Sequence, residues 1–368
     1  GNIFTQTGYT FAGWNTAANG SGTSYAAGAS VTNLAAAGTT VTLYAQWQIY
    51  WDGTGRFVGI SYDGTKVAWS SDEGLSWNEA DTGLTFGVTS MAYGNGVFVA
   101  GGEGYTAWSD NGGGTWNSVE LLPASSANWE NMAYGNGVFV TVDRGVPEVH
   151  NTSGKSRTAA YSIDNGKTWT LTTLPSEDYW GPVIYGEGVF VTIAAGSNFT
   201  TYSSTNAAYS KDYGKTWQLA TLPKNEYWTA AAYGNGGFIA IPDNNTRVAW
   251  SDNGETWSSE GLAMLPFPRL FYSVTCGNGV FVSVRFTTSD EYCKAIYSDD
   301  NGQTWNVVDV GRPRKGSNYV GDVVFGNGTF LVTTNDGLSL YSKNNGQTWA
   351  QGGEFSFNIM QSMAYGAR

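Results

Sequence analysis

The chain has 368 residues, including 50 Gly, 16 Trp, 22 Tyr and 17 Phe, and only 13% of its residues are charged. This composition is typical of a turn-rich all-β protein. The formal net charge of −12 argues against a nucleic-acid partner and against an anionic membrane surface. No apolar run approaches the roughly 20 residues of a membrane span, and two cysteines are too few for a disulfide scaffold.

Residues 1–48 do not share the pattern of the rest of the chain. They contain the strings Gly8-Tyr9-Thr10-Phe11, Gly13-Trp14 and Leu43-Tyr44-Ala45-Gln46-Trp47. Through these strings the segment resembles the Listeria–Bacteroides repeat, a small β-rich module of bacterial surface proteins. The strand and Gly-Gly turn that usually open this repeat are absent, so we expect a truncated or shortened module. The resemblance implies an extracellular, secreted or cell-surface location, bacterial or prophage-encoded, in a larger modular protein. We expect the chain to be a monomeric fragment of that protein.

Residues 49–368 repeat a short box seven times, and each copy ends in a Trp. The box tryptophans are Trp77, Trp116, Trp169, Trp217, Trp257, Trp305 and Trp349. Their spacing of 39 to 53 residues is that of one blade in a radial array of β-sheets. Within the box, Asp164 can accept bonds from nearby backbone N–H groups, and Gly166 supplies the positive φ of a tight turn. The expected counterparts of Asp164 are Asp72, Asp212, Asp252 and Asp300, with Asn111 and Asn344 in the same role.

The box pattern S-x-D-x-G-x-T-W resembles the Asp-box of the bacterial neuraminidase repeat. That repeat occurs in sialidases, sortilin-type receptors, photosystem assembly factors and xyloglucan-degrading glycosidases. The resemblance implies a β-propeller in which each box forms the turn between the third and fourth strands, away from the binding face. We therefore interpret the boxes as structural, and seven of them predict seven four-stranded blades.

The phase of the repeat predicts how the ring closes. Each unit begins with an apolar strand that ends in Tyr-Gly-Asn-Gly or a close variant, which is a strong hairpin signal. The chain enters at a second strand, residues 56–60, and finishes on a first strand, residues 360–366. Pairing of these two strands would remove the exposed edges of the ring. The predicted fold is all-β, with a small N-terminal β-rich module over residues 1–48 and a seven-bladed β-propeller with N-to-C terminal strand closure over residues 49–368.

The loops that enter blades 3 to 6 share an aromatic residue five positions before the hairpin turn. These residues are Trp129, Trp180, Trp228 and Phe271, with Tyr179 and Tyr227 beside two of them. We expect the rings to be partly exposed around the mouth of the central channel, where they could pack against the C–H faces of a sugar. The alternative is that the rings plug the channel or pack under neighbouring loops.

Charged residues accompany the aromatic residues on the same predicted face. The candidate ligand-binding set adds Arg144, Arg157, Arg269, Arg285, Glu177, Asp178 and Glu226. No His or Cys cluster suggests a metal, and we predict no cofactor. The one histidine, His150, gives little support to a Ser–His–Asp triad.

These patterns favour a non-catalytic extracellular recognition or adhesion module that binds a glycan or a protein through the loop face of blades 3 to 6. The alternative is a glycoside hydrolase, sialidase-like or of another Asp-box type, with a carboxylate pair drawn from Glu177, Asp178, Glu226 and Glu291. Resemblance to sialidases implies an Arg-Ile-Pro segment near the start, which this chain lacks. A purely structural spacer is the third possibility, and no catalytic residue is assigned.

Overall fold

The computed structural model describes residues 9–368 except 19–20, 33, 37, 50, 122–126, 146–153, 196–202, 244–246, 267–270, 286–292, 312–319 and 358–359. Two compact units divide the chain, Gly1–Gly53 and Thr54–Arg368. In the described part of the chain, all named elements are β-strands. No helix in these ranges is long and apolar enough to cross a membrane.

The N-terminal unit contains a three-stranded antiparallel sheet. Its strands are β1 (Tyr9–Asn15), β2 (Ser24–Tyr25) and β3 (Tyr44–Ile49), with β1 in the middle. Phe11 contacts the rings of Trp14 and Trp47 edge to face, with centroids 5.1 and 5.6 Å apart. The buried Asn15 accepts hydrogen bonds from the N–H groups of Ala17 and Gly22, at 2.8 and 3.0 Å. The aromatic residues of this motif thus pack together as a half-buried cluster on the sheet.

The second unit is a ring of seven antiparallel sheets, which are the blades. The inner strands of blades 1 to 7 are β30 (Met360–Gly366), β7 (Val88–Gly94), β11 (Asn131–Gly135), β15 (Trp180–Gly186), β19 (Trp228–Gly234), β22 (Phe271–Gly277) and β26 (Val320–Gly326). The second strands are β4 (Arg56–Ser61), β8 (Val97–Gly102), β12 (Val138–Val142), β16 (Val189–Ala194), β20 (Gly237–Pro242), β23 (Val280–Arg285) and β27 (Thr329–Thr334).

The two outer positions complete the blades. The third strands are β5 (Lys66–Ser70), β9 (Tyr105–Ser109), β13 (Ser156–Ser162), β17 (Ser204–Ser210), β21 (Ala249–Ser251), β24 (Cys293–Ser298) and β28 (Leu338–Ser342). The fourth strands are β6 (Asn78–Asp81), β10 (Asn117–Glu120), β14 (Thr170–Asp178), β18 (Gln218–Glu226), β25 (Asn306–Gly311) and β29 (Ala350–Glu354). Second strands are buried along almost their whole length, whereas the short fourth strands β6 and β10 are largely exposed. The hydrophobic clusters join residues of adjacent blades, such as Val142 of blade 3 and Phe190 of blade 4, so the core lies between blades.

The first blade closes the ring as the sequence predicts. Strand β30 pairs with β4 in antiparallel register, with Tyr365 opposite Phe57 and Gly366 opposite Arg56. The first and last segments of the propeller therefore share one sheet. This pairing gives the edge of β4 the backbone partners that it would otherwise lack.

Blade 5 departs from the prediction of four strands. Among the described residues, its sheet contains only β19, β20 and β21, and the fourth position is reduced to two isolated antiparallel bridges, Trp250 with Ser258 and Arg247 with Met264. The segment after the box instead buries Leu262 and Leu265, which pack with Phe271 in one hydrophobic cluster. In blade 5, apolar packing thus replaces part of the backbone hydrogen bonding between the third and fourth strands.

Each inner strand of blades 2 to 7 turns into the second strand through a tight hairpin. Asn95 and Gly96 have φ values of 50° and 80°, as a type I′ turn requires. All the hairpins from blade 2 to blade 7 repeat this pattern, with Glu187 in place of Asn in blade 4. The entry loops therefore lie at the opposite ends of the inner strands, which defines two faces: a box face with the hairpins and boxes, and a loop face.

Candidate ligand-binding site

The boxes form compact turns on the box face. In blade 3, the Asp164 carboxylate accepts hydrogen bonds from Ser162 Oγ at 2.9 Å, from Thr168 N at 2.9 Å and from Thr168 Oγ1 at 2.6 Å. Ser162 Oγ in turn accepts from Gly166 N at 2.9 Å, and Trp169 Nε1 donates to the Gly166 carbonyl at 3.1 Å. These bonds occupy the carboxylate within its own turn.

One predicted member of this set is wrong. Asp252 does not take the place of Asp164, because the box of blade 5 is one residue shorter. Asn253 does so instead, accepting from Ser251 Oγ at 3.2 Å and from Thr256 N at 3.0 Å. Asp252 accepts from Trp250 Nε1 at 2.6 Å. Asn111 and Asn344 act as expected, each accepting from its box Ser and Thr.

The four entry-loop aromatic residues are buried, contrary to the expectation of exposed rings. Trp129, Trp180, Trp228 and Phe271 each have 0% relative exposure. Trp180 lies in a cluster with Val142 of blade 3 and Phe190 of blade 4, and so wedges between two blades. A ring enclosed by protein in this way cannot stack on a sugar, so this half of the predicted platform is corrected to a structural role.

Hydrogen bonds hold two of these rings and their loops in place. Trp180 Nε1 donates to the Ser176 carbonyl at 3.2 Å, and Trp228 Nε1 donates to the Ser204 carbonyl at 3.1 Å. The preceding residues also serve the scaffold, since the carbonyls of Tyr179 and Tyr227 accept from Ala195 N at 2.8 Å and Asp243 N at 2.6 Å. The Tyr179 side chain is buried, whereas that of Tyr227 is half-buried.

Arg144 lies at the end of the second strand of blade 3. It forms an ion pair with Glu130, and both side chains remain partly exposed. The Asn128 amide also donates to Glu130. Beside them, the buried Asp143 carboxylate accepts from Asn128 N at 2.8 Å and Ser156 Oγ at 2.7 Å. These contacts fix the entry loop of blade 3 against its own second and third strands.

Asp178 has a corresponding role between blades 3 and 4. Its carboxylate is 1% exposed, accepts from Ser204 Oγ at 3.0 Å and Asn206 Nδ2 at 2.8 Å, and lies 3.8 Å from Lys155 Nζ. Three of its partners thus come from two different blades. The structure brings this predicted residue into a satisfied network at the base of the loop face.

The remaining predicted residues are dispersed over the loop face. Arg157 is exposed and donates through Nε and Nη2 to the Leu174 carbonyl, at 3.3 Å each. Glu177 is exposed, and Glu226 and Arg285 are half-buried. Arg269, together with His150 and Glu291, lies outside the described residues.

A cavity of about 350 Å³ occupies the central channel, and the sequence interpretation did not include it. Residues from all seven inner strands line it, including Asn131, Thr229, Ser273, Asp322 and Met363. Many of these residues lie in the half of each inner strand nearer the loop face. Of the described residues that line the cavity, Asp322 is the only one that titrates, and none is a Lys or Arg.

Asp322 is held by the two blades beside it. Burial raises the pKa of its carboxyl group to about 6. Hydrogen bonds from the Ser273 side chain and the Met363 N–H lower the pKa, but burial has the larger effect. Ser273 Oγ also accepts from Val323 N at 3.2 Å. The cavity therefore contains one carboxylate that is costly to ionise, and none of its described lining residues is positively charged.

Two family models match parts of the chain. The Listeria-Bacteroides repeat domain matches residues 2–46, and the BNR/Asp-box repeat matches residues 160–171, 208–219 and 296–307. The chain carries one Listeria–Bacteroides repeat and a series of Asp-box repeats. Both repeat families are typical of bacterial surface proteins. No curated protein sequence matches the chain.

Solved structures with the same fold are distant in sequence. A structure of YCF48 bound to D1 peptide aligns with a TM-score of 0.52 at 16% identity, covering 72% of this chain and 80% of its own. The computationally designed Ika8 protein aligns with a TM-score of 0.51 at 14% identity, covering 86% and 95%. Together with the Asp-box repeats, these likenesses identify the second unit as a β-propeller.

Proposed function

We propose that the Asp-box propeller is a non-catalytic recognition module of an extracellular bacterial protein, and that it binds a segment of a partner protein on its loop face. The observation that carries this proposal is the fixed set of mixed charges on that face. The Arg144–Glu130 ion pair is anchored to blade 3 and partly exposed, and Arg157 and Glu177 are exposed on the same face. Such groups suit the alternating donors and acceptors of a polypeptide.

Burial of the aromatic rings makes a protein ligand a better candidate than a glycan. The argument for a sugar depended on exposed faces of Trp129, Trp180 and Trp228, and these faces pack inside the blades. The propeller YCF48 was solved bound to a peptide. That likeness supports a propeller surface that accepts a peptide.

The glycosidase alternative receives little support from the predicted acids. Asp178 is 1% exposed and accepts from two side chains of blade 4, so its carboxylate serves the fold. Glycoside hydrolysis needs a pair of carboxyl groups at a defined separation beside the substrate. Removal of Asp178 from the candidate pair leaves the alternative without a specific observation in its favour.

A selection on the full chain tests the proposal. A library of random 12-residue peptides, a glycan array and a set of fluorogenic glycosides would be applied to one preparation of protein. We expect peptides to be enriched and to lose affinity in Arg157→Ala, but not in the matched box-face variant Lys215→Ala. Binding of glycans alone, turnover of a glycoside, or equal loss in both variants would overturn it.

A further inference from the structure

Equivalent positions of the seven inner strands form a column of residues, six of which are uncharged. The column lies three positions before the aromatic or Cys residue that opens each hairpin. From blade 2 around to blade 1, its members are Ser90, Asn131, Pro182, Ala230, Ser273, Asp322 and Ser362. Asp322 is the one charged residue in this column.

Members of the column connect successive blades through hydrogen bonds. Ser90 Oγ donates to the Trp129 carbonyl of blade 3 at 2.9 Å. Ser273 Oγ accepts from the N–H of Val323 in blade 7 at 3.2 Å. Asp322 accepts from the corresponding N–H in blade 1, that of Met363. The Ser273 contact shows that a hydroxyl group is enough for this connection.

A carboxylate at position 322 therefore adds a charge that the connection between blades does not need. Partial burial of that charge among neutral groups is unfavourable, and none of the described residues that line the cavity has a positive side chain to offset it. Other lining groups are neutral acceptors, including the hydroxyls of Thr229 and Ser273 and the amide of Asn131. A cavity of about 350 Å³ falls in the range that encloses small ligands.

We propose that the central cavity binds a protonated primary amine, with the Asp322 carboxylate as its counter-charge and neighbouring hydroxyl and amide oxygens as further acceptors. An ammonium group has three donors and no acceptor, which matches one carboxylate surrounded by neutral oxygens. The amine belongs either to a lysine side chain or to a free diamine. The first source rests on the proposed function, because a segment bound at the loop face would insert its lysine into the cavity.

The test uses small probes on the full chain, followed by NMR or calorimetry at pH 7.5. Nα-acetyl-lysine amide represents the side chain, 1,5-diaminopentane represents a free diamine, and Nα-acetyl-norleucine amide lacks the ammonium group. We expect saturable binding of one or both amines and none of the norleucine compound. Binding of the lysine compound identifies a side chain as the source, and binding of the diamine alone identifies a free amine.

Two replacements isolate the charge. Asp322→Asn keeps the shape, and Asp322→Ser introduces the residue that sister blades already use, so the ring should remain folded in at least one of them. Each should weaken amine binding by about tenfold or more, the scale of one charge-assisted bond. Asp81→Asn is the control, since the Asp81 side chain is 78% exposed and lies outside the lining. The affinity of the Asp81→Asn variant for the amines should be unchanged.

A change of pH gives an independent readout. Because the pKa of Asp322 is about 6, wild-type affinity should fall about tenfold from pH 7.5 to pH 5, and the two variants should show no such fall. Absence of binding by both amines, or affinity that survives both replacements, overturns the proposal. Neither result depends on peptide selection at the loop face, so failure here is distinguishable from failure of the proposed function.

Discussion

The α-carbon of Gly366 lies so close to the ring of Tyr93 that a methyl group added there would come within 2.5 Å of the tyrosine Cδ2. The inner-strand glycine of every blade faces its neighbour in the same way. The other pairs are Gly94 with Tyr134, Gly135 with Tyr185, Gly186 with Tyr233, Gly234 with Cys276, Gly277 with Phe325 and Gly326 with Tyr365. None of these glycines has a positive φ, so close approach between blades is what requires them.

Replacement of Gly186 by Ala should therefore destabilise the propeller by about 3 kcal/mol, because the new methyl group would overlap the Tyr233 ring. Gly188 is the matched control. It has a φ of 84° and open space around its α-carbon, so Gly188→Ala should cost only about 1 kcal/mol of backbone strain. Urea unfolding measures both. Equal losses of unfolding free energy in the two variants would mean that the contact between Gly186 and Tyr233 does not set the spacing between blades 4 and 5.

Trp180→Ala should lower the free energy of unfolding by about 3–5 kcal/mol, because it empties a fully buried wedge between blades 3 and 4. Tyr213, which is 37% exposed in the box of blade 4, provides a control whose replacement by Ala should change stability little. Thermal melting distinguishes the two. A Trp180→Ala protein that melts like wild type would restore the idea of an exposed platform.

The box of blade 5 offers a direct comparison of neighbouring residues. Asn253→Ala should destabilise by about 1–2 kcal/mol, since Asn253 accepts from Ser251 and Thr256 within the turn. Asp252→Ala should cost less, because it removes one exposed bond from Trp250 Nε1. Chemical denaturation of both variants checks the order. The opposite order would return Asp252 to the role of Asp164.

Stability should depend on pH through Asp322. A folded-state pKa of about 6 exceeds the unfolded value near 4, so this group's contribution is fully present below about pH 4 and is lost as pH rises through about 6. Asp322→Ser should therefore melt at a higher temperature than wild type at pH 7.5. At pH 4 the gain should disappear. A variant that is less stable at both pH values would show that the carboxylate itself supports the ring.

The box carboxylates should act in the opposite direction. Burial raises the pKa of Asp164, but hydrogen bonds from Thr168 and Ser162 outweigh it and keep the pKa below its usual value. Stability from this turn is present above about pH 4 and is lost as pH falls through the lower folded value. Asp164→Asn should reduce the slope of stability against pH below about 4. An unchanged slope would mean that the turn does not sense ionisation.

The seven-bladed propeller could be predicted from the sequence because its sequence motifs are local and repeated. Each box specifies its own turn, and the phase of the first and last segments fixes the pairing of Tyr365 with Phe57. The box of blade 5 misleads a prediction from sequence, because it is one residue shorter and still resembles the other boxes. Asn253, and not Asp252, accepts the hydrogen bond within this turn. The missing fourth strand of that blade depends on packing of Leu262 and Leu265, which no period reveals.

The candidate site could be predicted less well, because burial is a property of the assembled ring. The position of Trp180 before a hairpin is equally compatible with an exposed indole and with an indole buried between two blades. Only the contacts that Trp180 makes with residues of blades 3 and 4 decide between these two arrangements. The sequence interpretation assigns no role to Asp322, because a single acidic residue in a strand does not by itself indicate a binding site. Alignment of the seven inner strands would have revealed it, since the sister positions, such as Ser273, carry no charge.

The loop face and the central cavity both depend on closure of the ring by β30. The most direct test compares the thermal unfolding of residues 1–357 with that of the full chain. Without β30, the edge of β4 and the aromatic neighbours of Tyr365 lose their partners. We expect a large fall in melting temperature and loss of a single cooperative transition. A truncated protein that melts at the same temperature, with the same sharpness, would contradict the closed seven-bladed ring.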